Sequence, residues 1–262
     1  METVRYQLNP VDPVGCTRRG AGTIVRSVVE RVAEPRSAVP ADSPDLALAS
    51  ELDQASRRLE AASPVEVLTW AFERFGRDAV LTSSFQDCVL IDLAVQVDPG
   101  VRVVFLDTGY PFPETLAYMR HVQERYGLDL EVVVPAIPLD DRPCGSPGCC
   151  EARKVTPLDT VLAGARAWLT GVKRVDTPER ANAPVVAWDA KKHVVKVNPI
   201  VAWTEDDVEA FVVQRDLPRH PLNAVGYFSI GCAPTTRPVT AGQDPRAGRW
   251  PGSVKTECGL HL

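Results

Sequence analysis

Residues 78–97, DAVLTSSFQDCVLIDLAVQV, decide the fold. The first part is a short apolar run that ends in the small polar residues Thr82, Ser83 and Ser84, which reads as a strand. The second part, from Gln86 to Val97, has the length and pattern of a buried helix. A strand feeding a helix is therefore expected, and the unit repeats. VRVVFLDTG (101–109) reads as a second strand, PFPETLAYMRHVQERYG (111–127) as a helix and LDLEVVVPA (128–136) as a third strand. Alternation of this kind predicts an α/β fold, a parallel twisted sheet with helices on both faces and ligands at the carboxyl ends of the strands.

Upstream, SPVEVLTWAFERFG (63–76) has every mark of a helix. Ser63 is a cap, Pro64 takes the first position, Glu66 sits at capping-box spacing, and Val67, Leu68, Ala71, Phe72 and Phe75 share a face before Gly76. Downstream, RAWLTGVKR (166–174) reads as a strand, APVVAWDAKKHVVKVNPI (183–200) as a hairpin, and TEDDVEAFVVQR (204–215) as a helix capped by Thr204. Residues 1–45 include VAEPRSAVPADSPD and show no useful periodicity, so they are expected to be a disordered or loosely packed appendage to a domain spanning 46–262.

Composition narrows the class. The 262 residues are 45% hydrophobic and 24% charged, enough for one large domain. A formal net charge of -5 gives no encouragement to nucleic-acid binding, and no run approaches a membrane span. The N-terminus lacks an apolar segment followed by a small-residue cleavage site, so a cytoplasmic protein is expected. The seven cysteines then argue for thiol, metal or redox chemistry rather than a disulfide framework. A homo-oligomer is compatible with all of this.

Several short stretches carry chemistry. In TSSFQD (82–87), Ser83, Ser84 and Asp87 bring hydroxyls and backbone N–H groups to the opening of a helix, where an anion can sit, although the same residues serve equally well as caps. In LDTG (106–109), Asp107 and Thr108 fall at the same sheet edge. GCCEARK (148–154) sets two adjacent cysteines beside Arg153 and Lys154. Neighbouring cysteines close only a strained ring, which leaves metal or cluster ligation as the sharper reading. In the tail, KTECGLHL (255–262) places Cys258 near Lys255 and His261, suited to a thiolate nucleophile, and DPRAGRW (244–250) offers Arg246 and Arg249 to one anion.

Taken in order and spacing, CCEARKVTPL, WLTGVKRVDTPERANAPVV, KVNPIVAWTEDDV, GYFSIGCAP and DPRAGRW followed by KTECGLH resemble the assimilatory sulfonucleotide reductases, specifically the iron-sulfur adenylylsulfate (APS) reductases. The likeness runs from about Ser63 to the C-terminus. It implies an adenine-nucleotide fold related to the ATP pyrophosphatases, with a mobile catalytic tail at 240–262. It implies a nucleotide pocket formed partly by Ser83 to Asp87, and a phosphosulfate held by Lys154, Arg246, Arg249 and His261, with Arg174 and Arg180 in a basic loop of the active site. Cys258 is then the nucleophile: it attacks the sulfate sulfur of APS, displaces AMP and forms an S-sulfocysteine from which thioredoxin releases sulfite. Cys149, Cys150 and Cys232 would be ligands of a [4Fe-4S] cluster.

The chain departs from the family at one point. Where the second ligand pair is Cys-x-x-Cys, it reads GCAPTTRPV, so Thr235 stands at the fourth ligand position. A hydroxyl is a poor substitute for a thiolate, which predicts an incomplete or labile cluster. Cys144, five residues before the pair, is a candidate replacement that matches no family position; Cys16 reads as an appendage thiol and Cys88 as a buried helix residue. Loss of the fourth cysteine leaves open a 3'-phospho-APS (PAPS) reductase working without a cluster, and a non-catalytic thiol-ligated or redox-sensing protein. A zinc site built from Cys144, Cys149, Cys150 and Cys232 and an ATP pyrophosphatase are further alternatives; the second lacks its glycine-rich loop.

Overall fold

In a computed structural model, residues 29–33, 44, 46–240, 242–253 and 255–261 are described. Seven strands form one sheet: β1 (Val29–Ala33), β2 (Ala79–Thr82), β3 (Arg102–Leu106), β4 (Asp129–Pro135), β5 (Ala167–Leu169), β6 (Val186–Asp189) and β7 (Val194–Val197), in the order β1-β4-β3-β2-β5-β7-β6. All neighbours pair in parallel except β6 and β7, the expected hairpin.

The appendage expectation needs one correction. Val29–Ala33 adds to the sheet as an edge strand, pairing in parallel with β4 from Val29 opposite Glu131 to Ala33 opposite Pro135. A short strand surrounded by Pro-rich sequence gives little periodicity of its own; the sheet edge supplies its hydrogen bonds. Cys16 and the rest of 1–43 lie outside the described residues.

Among the described residues the α-helices are α1 (Leu46–Leu59), α2 (Pro64–Phe75), α3 (Val89–Val97), α4 (Pro113–Tyr126), α5 (Thr156–Leu162) and α6 (Glu205–Gln214). The capping box of α2 is present: Ser63 N donates to Glu66 Oε2 at 2.7 Å, and Ser63 Oγ accepts from Glu66 N at 3.3 Å. Thr204 and Asp207 repeat it at the start of α6.

Strand residues alternate between two apolar layers because successive side chains point to opposite faces. Leu81, Val103, Phe105, Leu130 and Val132 pack with α1 to α4 and α6, whereas Val80, Val104 and Val133 meet Val161 of α5. Burial on both faces is why these strands are almost uninterruptedly apolar. From β2 the chain steps to β3 and β4 on one side, and later to β5 and β7 on the other, so the strand order reverses beside β2. In open α/β sheets that reversal opens a crevice at the carboxyl ends of the strands.

Candidate active site

The crevice is there. A cavity of about 260 Å³ lies beyond the ends of β2 and β5, and its walls include Ser83, Ser84, Asp87, Lys154, Arg180, Arg246, Arg249, Cys258 and His261. The turn after β2 is fixed by its own polar groups: Ser83 Oγ accepts from Phe85 N at 3.0 Å, and Asp87 Oδ1 accepts from Val89 N at 3.0 Å at the start of α3. Capping and lining are thus both realised in one loop. Burial raises the Asp87 carboxyl, against the Val89 hydrogen bond and the nearby Lys173 ammonium that lower it.

Cations reach the cavity from three separate parts of the chain. Lys154 comes from a π-helical turn, Glu151–Val155, that leads into α5. Burial lowers the Lys154 ammonium, but Cys232, Cys258 and Cys150 outweigh it and hold the charge in place. Arg180, in the 3-10 turn Pro178–Arg180, pairs with Asp176 at 2.7 Å. Arg249 lies with its guanidinium 4.6 Å from the Trp250 ring centroid, and its Nη1 donates to Ser229 Oγ at 3.3 Å. Its Nε has no hydrogen-bond partner.

Arg174 is the exception. Its guanidinium turns to Glu60 at the end of α1 and donates to Glu60 Oε2 at 3.0 Å and to the Ala183 carbonyl at 2.8 Å, so it does not line the cavity. Motif adjacency suggested a role; the backbone between Arg174 and Arg180 sends the two side chains to different places.

The tail folds over this site. Arg246 Nη2 donates to the Thr256 carbonyl at 2.8 Å, Leu260 packs on Leu158, Leu162, Trp168 and Val194, and the His261 ring stacks on Trp168 at 5.1 Å and 12°. Burial, helped by Lys196, Arg180, Arg246 and Lys192, pushes the His261 imidazole well below its ordinary value, and its Nδ1 has no partner. Trp168, which anchors the ring and donates from Nε1 to Thr82 Oγ1 at 2.8 Å, reads in the sequence only as a core strand residue. The cluster of Lys173 with Glu205 (2.7 Å) and Asp176 (3.3 Å) also lines the cavity and was not legible, because Glu205 joins the Lys173–Asp176 turn from a distant segment.

Behind this cavity lies a second, of about 300 Å³, walled by Cys144, Cys149, Cys150, Cys232 and Thr235. Thr108, Lys154, Cys232, Arg249 and Trp250 belong to both walls. Lys255 Nζ reaches Cys150 Sγ at 3.1 Å, and Thr108 Oγ1 lies 3.3 Å from Cys232 Sγ. A hydrogen bond from the Cys144 thiol, with Lys154 and Thr108, draws the Cys232 thiol below its usual range against the cost of burial. Among the described residues no three His, Cys, Asp or Glu side chains converge on one ion-sized point. Cys144, Cys149, Cys150 and Cys232 all line this chamber, with Cys144 hydrogen-bonded to Cys232, and soft sulfur donors of this kind suit an iron-sulfur cluster. Cys88 is buried at the start of α3, and burial pushes its thiol up to about 11.

Comparison with known proteins decides the family. The model of the phosphoadenosine phosphosulfate reductase domain matches residues 78–238. The chain is 45% identical over 218 residues to the adenosine 5'-phosphosulfate reductase of Streptomyces coelicolor, covering 80% of this chain and 92% of that one. This chain belongs to the APS/PAPS reductase family. To the Rhodococcus opacus enzyme of the same name this reductase is 43% identical over 244 residues, covering 84% and 99%. Its fold is also that of the phosphoadenylyl-sulfate reductase from Candida auris, at a TM-score of 0.64 and 23% identity over 76% of this chain and 100% of that one. The reductase resembles the FMN adenylyltransferase of Candida glabrata more distantly, with a TM-score of 0.52 and 15% identity over 76% and 77%. Among the described residues no helix is long and apolar enough to cross a membrane.

Proposed function

We propose that this chain reduces adenosine 5'-phosphosulfate to sulfite and AMP in sulfate assimilation, using thioredoxin as the electron donor, in the cytoplasm. The observation that carries the reading is that Cys258 opens into the same cavity as Lys154, Arg180, Arg246, Arg249 and His261. An anionic thiolate attacking an anionic sulfate group is opposed by like charge, and surrounding cations remove that opposition. The names of the relatives at 42–45% identity support APS rather than PAPS. The catalytic unit is 46–262, with 240–262 as a tail that closes for attack and opens to the reductant.

The Cys258 thiolate attacks the sulfate sulfur; the bond from that sulfur to the bridging phosphate oxygen breaks, and AMP leaves with the electron pair. Ser83, Ser84 and Asp87 face the nucleotide, while Lys154, Arg246, Arg249 and His261 hold the phosphosulfate and Arg180 braces the tail. The product on the enzyme is an S-sulfocysteine. A thioredoxin thiolate then attacks Cys258 Sγ and expels sulfite. The second thioredoxin thiol resolves the mixed disulfide, so the two electrons come from the dithiol and Cys258 is restored.

Cys149, Cys150 and Cys232 would hold a [4Fe-4S] cluster in the second chamber. When bound there it supplies charge and bracing to the wall that carries Lys154, while the electrons come from thioredoxin. The six described cysteines are all free, as ligand and nucleophile roles require.

Mixing the protein with APS alone, followed by peptide mass spectrometry, should show an SO₃ adduct on the peptide holding Cys258. Cys258→Ser should abolish sulfite release. An adduct on any other cysteine overturns the assignment, and preference for the 3'-phosphorylated nucleotide in competition makes the enzyme a PAPS reductase.

A further inference from the structure

We infer that Cys144, carried in by the loop ahead of the cysteine pair, supplies the fourth thiolate of the iron-sulfur centre, and that Thr235 is not a ligand. The inference rests on the cluster reading above and concerns which residue completes it.

Cys144 Sγ stands 3.6 Å from Thr235 Oγ1, so a thiol already occupies the place beside the hydroxyl at the fourth position. Both residues line the chamber with Cys149, Cys150 and Cys232. Thr235 Oγ1 is turned toward its own loop, donating to the Cys232 carbonyl at 3.4 Å. Between a neutral hydroxyl and a thiol that becomes an anionic sulfur ligand by losing one proton, iron takes the thiolate.

The loop that delivers Cys144 is built rather than adventitious. Arg153, only 1% exposed, donates to the carbonyls of Arg142 at 3.2 Å, Asp141 at 2.7 Å, Thr108 at 3.3 Å and Pro138. Arg153 is on the same helical run as Cys149 and Cys150, so one buried guanidinium ties the segment before Cys144 to the frame of the pair and to the β3 loop. The turn then tightens: Ser146 N donates to the Pro143 carbonyl at 3.0 Å, and Cys149 N to Ser146 O at 3.2 Å. Gly145 adopts φ +92, and a Cβ there would sit 3.3 Å from Thr235 Cγ2. The loop therefore closes directly onto Thr235, with its one missing side chain at the point of contact. The consequence differs from the labile cluster that the Thr235 departure suggests: the chain carries four thiolates around the chamber.

The test compares full-length protein, prepared anaerobically and reconstituted with iron and sulfide, with Cys144→Ser, Thr235→Ala and the double variant Cys144→Ser/Thr235→Cys. Iron and acid-labile sulfide per chain are measured together with electron paramagnetic resonance spectra. The parent and Thr235→Ala should each hold about four irons. Cys144→Ser should lose one iron, with the signal of a three-iron cluster, or lose the cluster, and the double variant should recover the full complement. If Cys144→Ser does not fold, a loaded double variant and an unaffected Thr235→Ala still support the inference, while iron loss in Thr235→Ala overturns it. A full complement in Cys144→Ser, or a parent that stops at three irons, also overturns it. A parent without iron after reconstitution overturns the cluster reading itself.

Discussion

The Glu257 carboxylate, one residue before Cys258, is buried against Arg180, with Oε1 2.6 Å from Nε and Oε2 accepting from Nη2 at 2.9 Å. Arg246 approaches the same carboxylate at 3.5 Å, and Thr177 Oγ1 donates to it at 3.3 Å. The residue next to Cys258 thus ties the tail to two cations that line the cavity. Removing one partner of a buried pair leaves a charge uncompensated and costs about 3–5 kcal/mol, here nearer the lower figure because Arg180 keeps Asp176. Glu257→Ala should lower thermal stability, expose the tail to limited proteolysis and cut kcat/KM for APS by about 10²-fold, about 2.7 kcal/mol. A tail that stays protease-resistant at full activity would show that other contacts hold it.

His220 gives the fold an acid limit. Its Nδ1 accepts from Leu222 N at 3.2 Å, which leaves Nε2 to donate to Thr115 Oγ1 at 3.0 Å, so the neutral ring is the form the site accommodates. Burial pushes its pKa down to about 4, against the opposing pull of Glu114. Between that value and the ordinary 6.5, the unfolded chain binds a proton that the folded chain refuses. The contribution is complete above pH 6.5 and is lost as the pH falls toward 4, by at most about 3 kcal/mol. Urea unfolding across this range should show the slope, and His220→Gln, which does not titrate, should flatten it while being less stable at neutral pH.

The frame of this molecule was legible where local chemistry and tertiary packing agree. The Ser63 capping box, the Thr204 cap, the apolar runs of β2 to β4 and the hairpin of β6 and β7 each state their structure within a few residues. Lys154, Arg180, Arg246 and Arg249, which the family resemblance singled out, all line the cavity. What could not be read is what depends on segments meeting: Trp168 under His261, Glu257 between two guanidiniums, and the Arg153 anchor beneath the Cys144 loop. Arg174 turns away from the cavity for the converse reason, since proximity in a motif says nothing about the face to which a side chain turns.

Arg174 offers a direct check on that reading. Its partner Glu60 is half exposed, and such surface pairs contribute about 0.2–1 kcal/mol. Arg174→Ala should therefore lower stability by no more than about that amount, with KM for APS unchanged. A KM raised tenfold or more would put the guanidinium in the substrate site after all.

His261 should report on occupancy of the site. Burial and the cations around it keep the imidazole neutral at physiological pH, and its Nδ1 is without a partner. A bound anion offsets the cations and favours the protonated ring, so binding takes up a proton and affinity rises as the pH falls. Calorimetry of AMP binding in buffers of different ionisation enthalpy should detect the uptake. Because the AMP phosphate also titrates near 6, the difference between the parent and His261→Gln isolates the imidazole's share. Equal uptake in both proteins would assign the proton elsewhere.

Gly231 separates positioning from stability. A Cβ at this residue would lie 2.4 Å from Arg249 Nη2 and 2.5 Å from its Cζ, so the guanidinium occupies the space that any side chain would need. The clashing group is the far end of a flexible side chain, and moving it is cheap for the fold. Gly231 also lies outside the left-handed backbone positions, so alanine adds no backbone strain. In Gly231→Ala, Arg249 should swing away from Ser229 and from the wall it shares between the two cavities. Thermal unfolding should change by less than about 1 kcal/mol, while kcat/KM for APS falls at least tenfold, about 1.4 kcal/mol of transition-state binding. Adding Arg249→Ala to Gly231→Ala should then cost little more, because the first substitution has already withdrawn the guanidinium. Full additivity of the two losses would mean that Arg249 still reaches the substrate past the new methyl group.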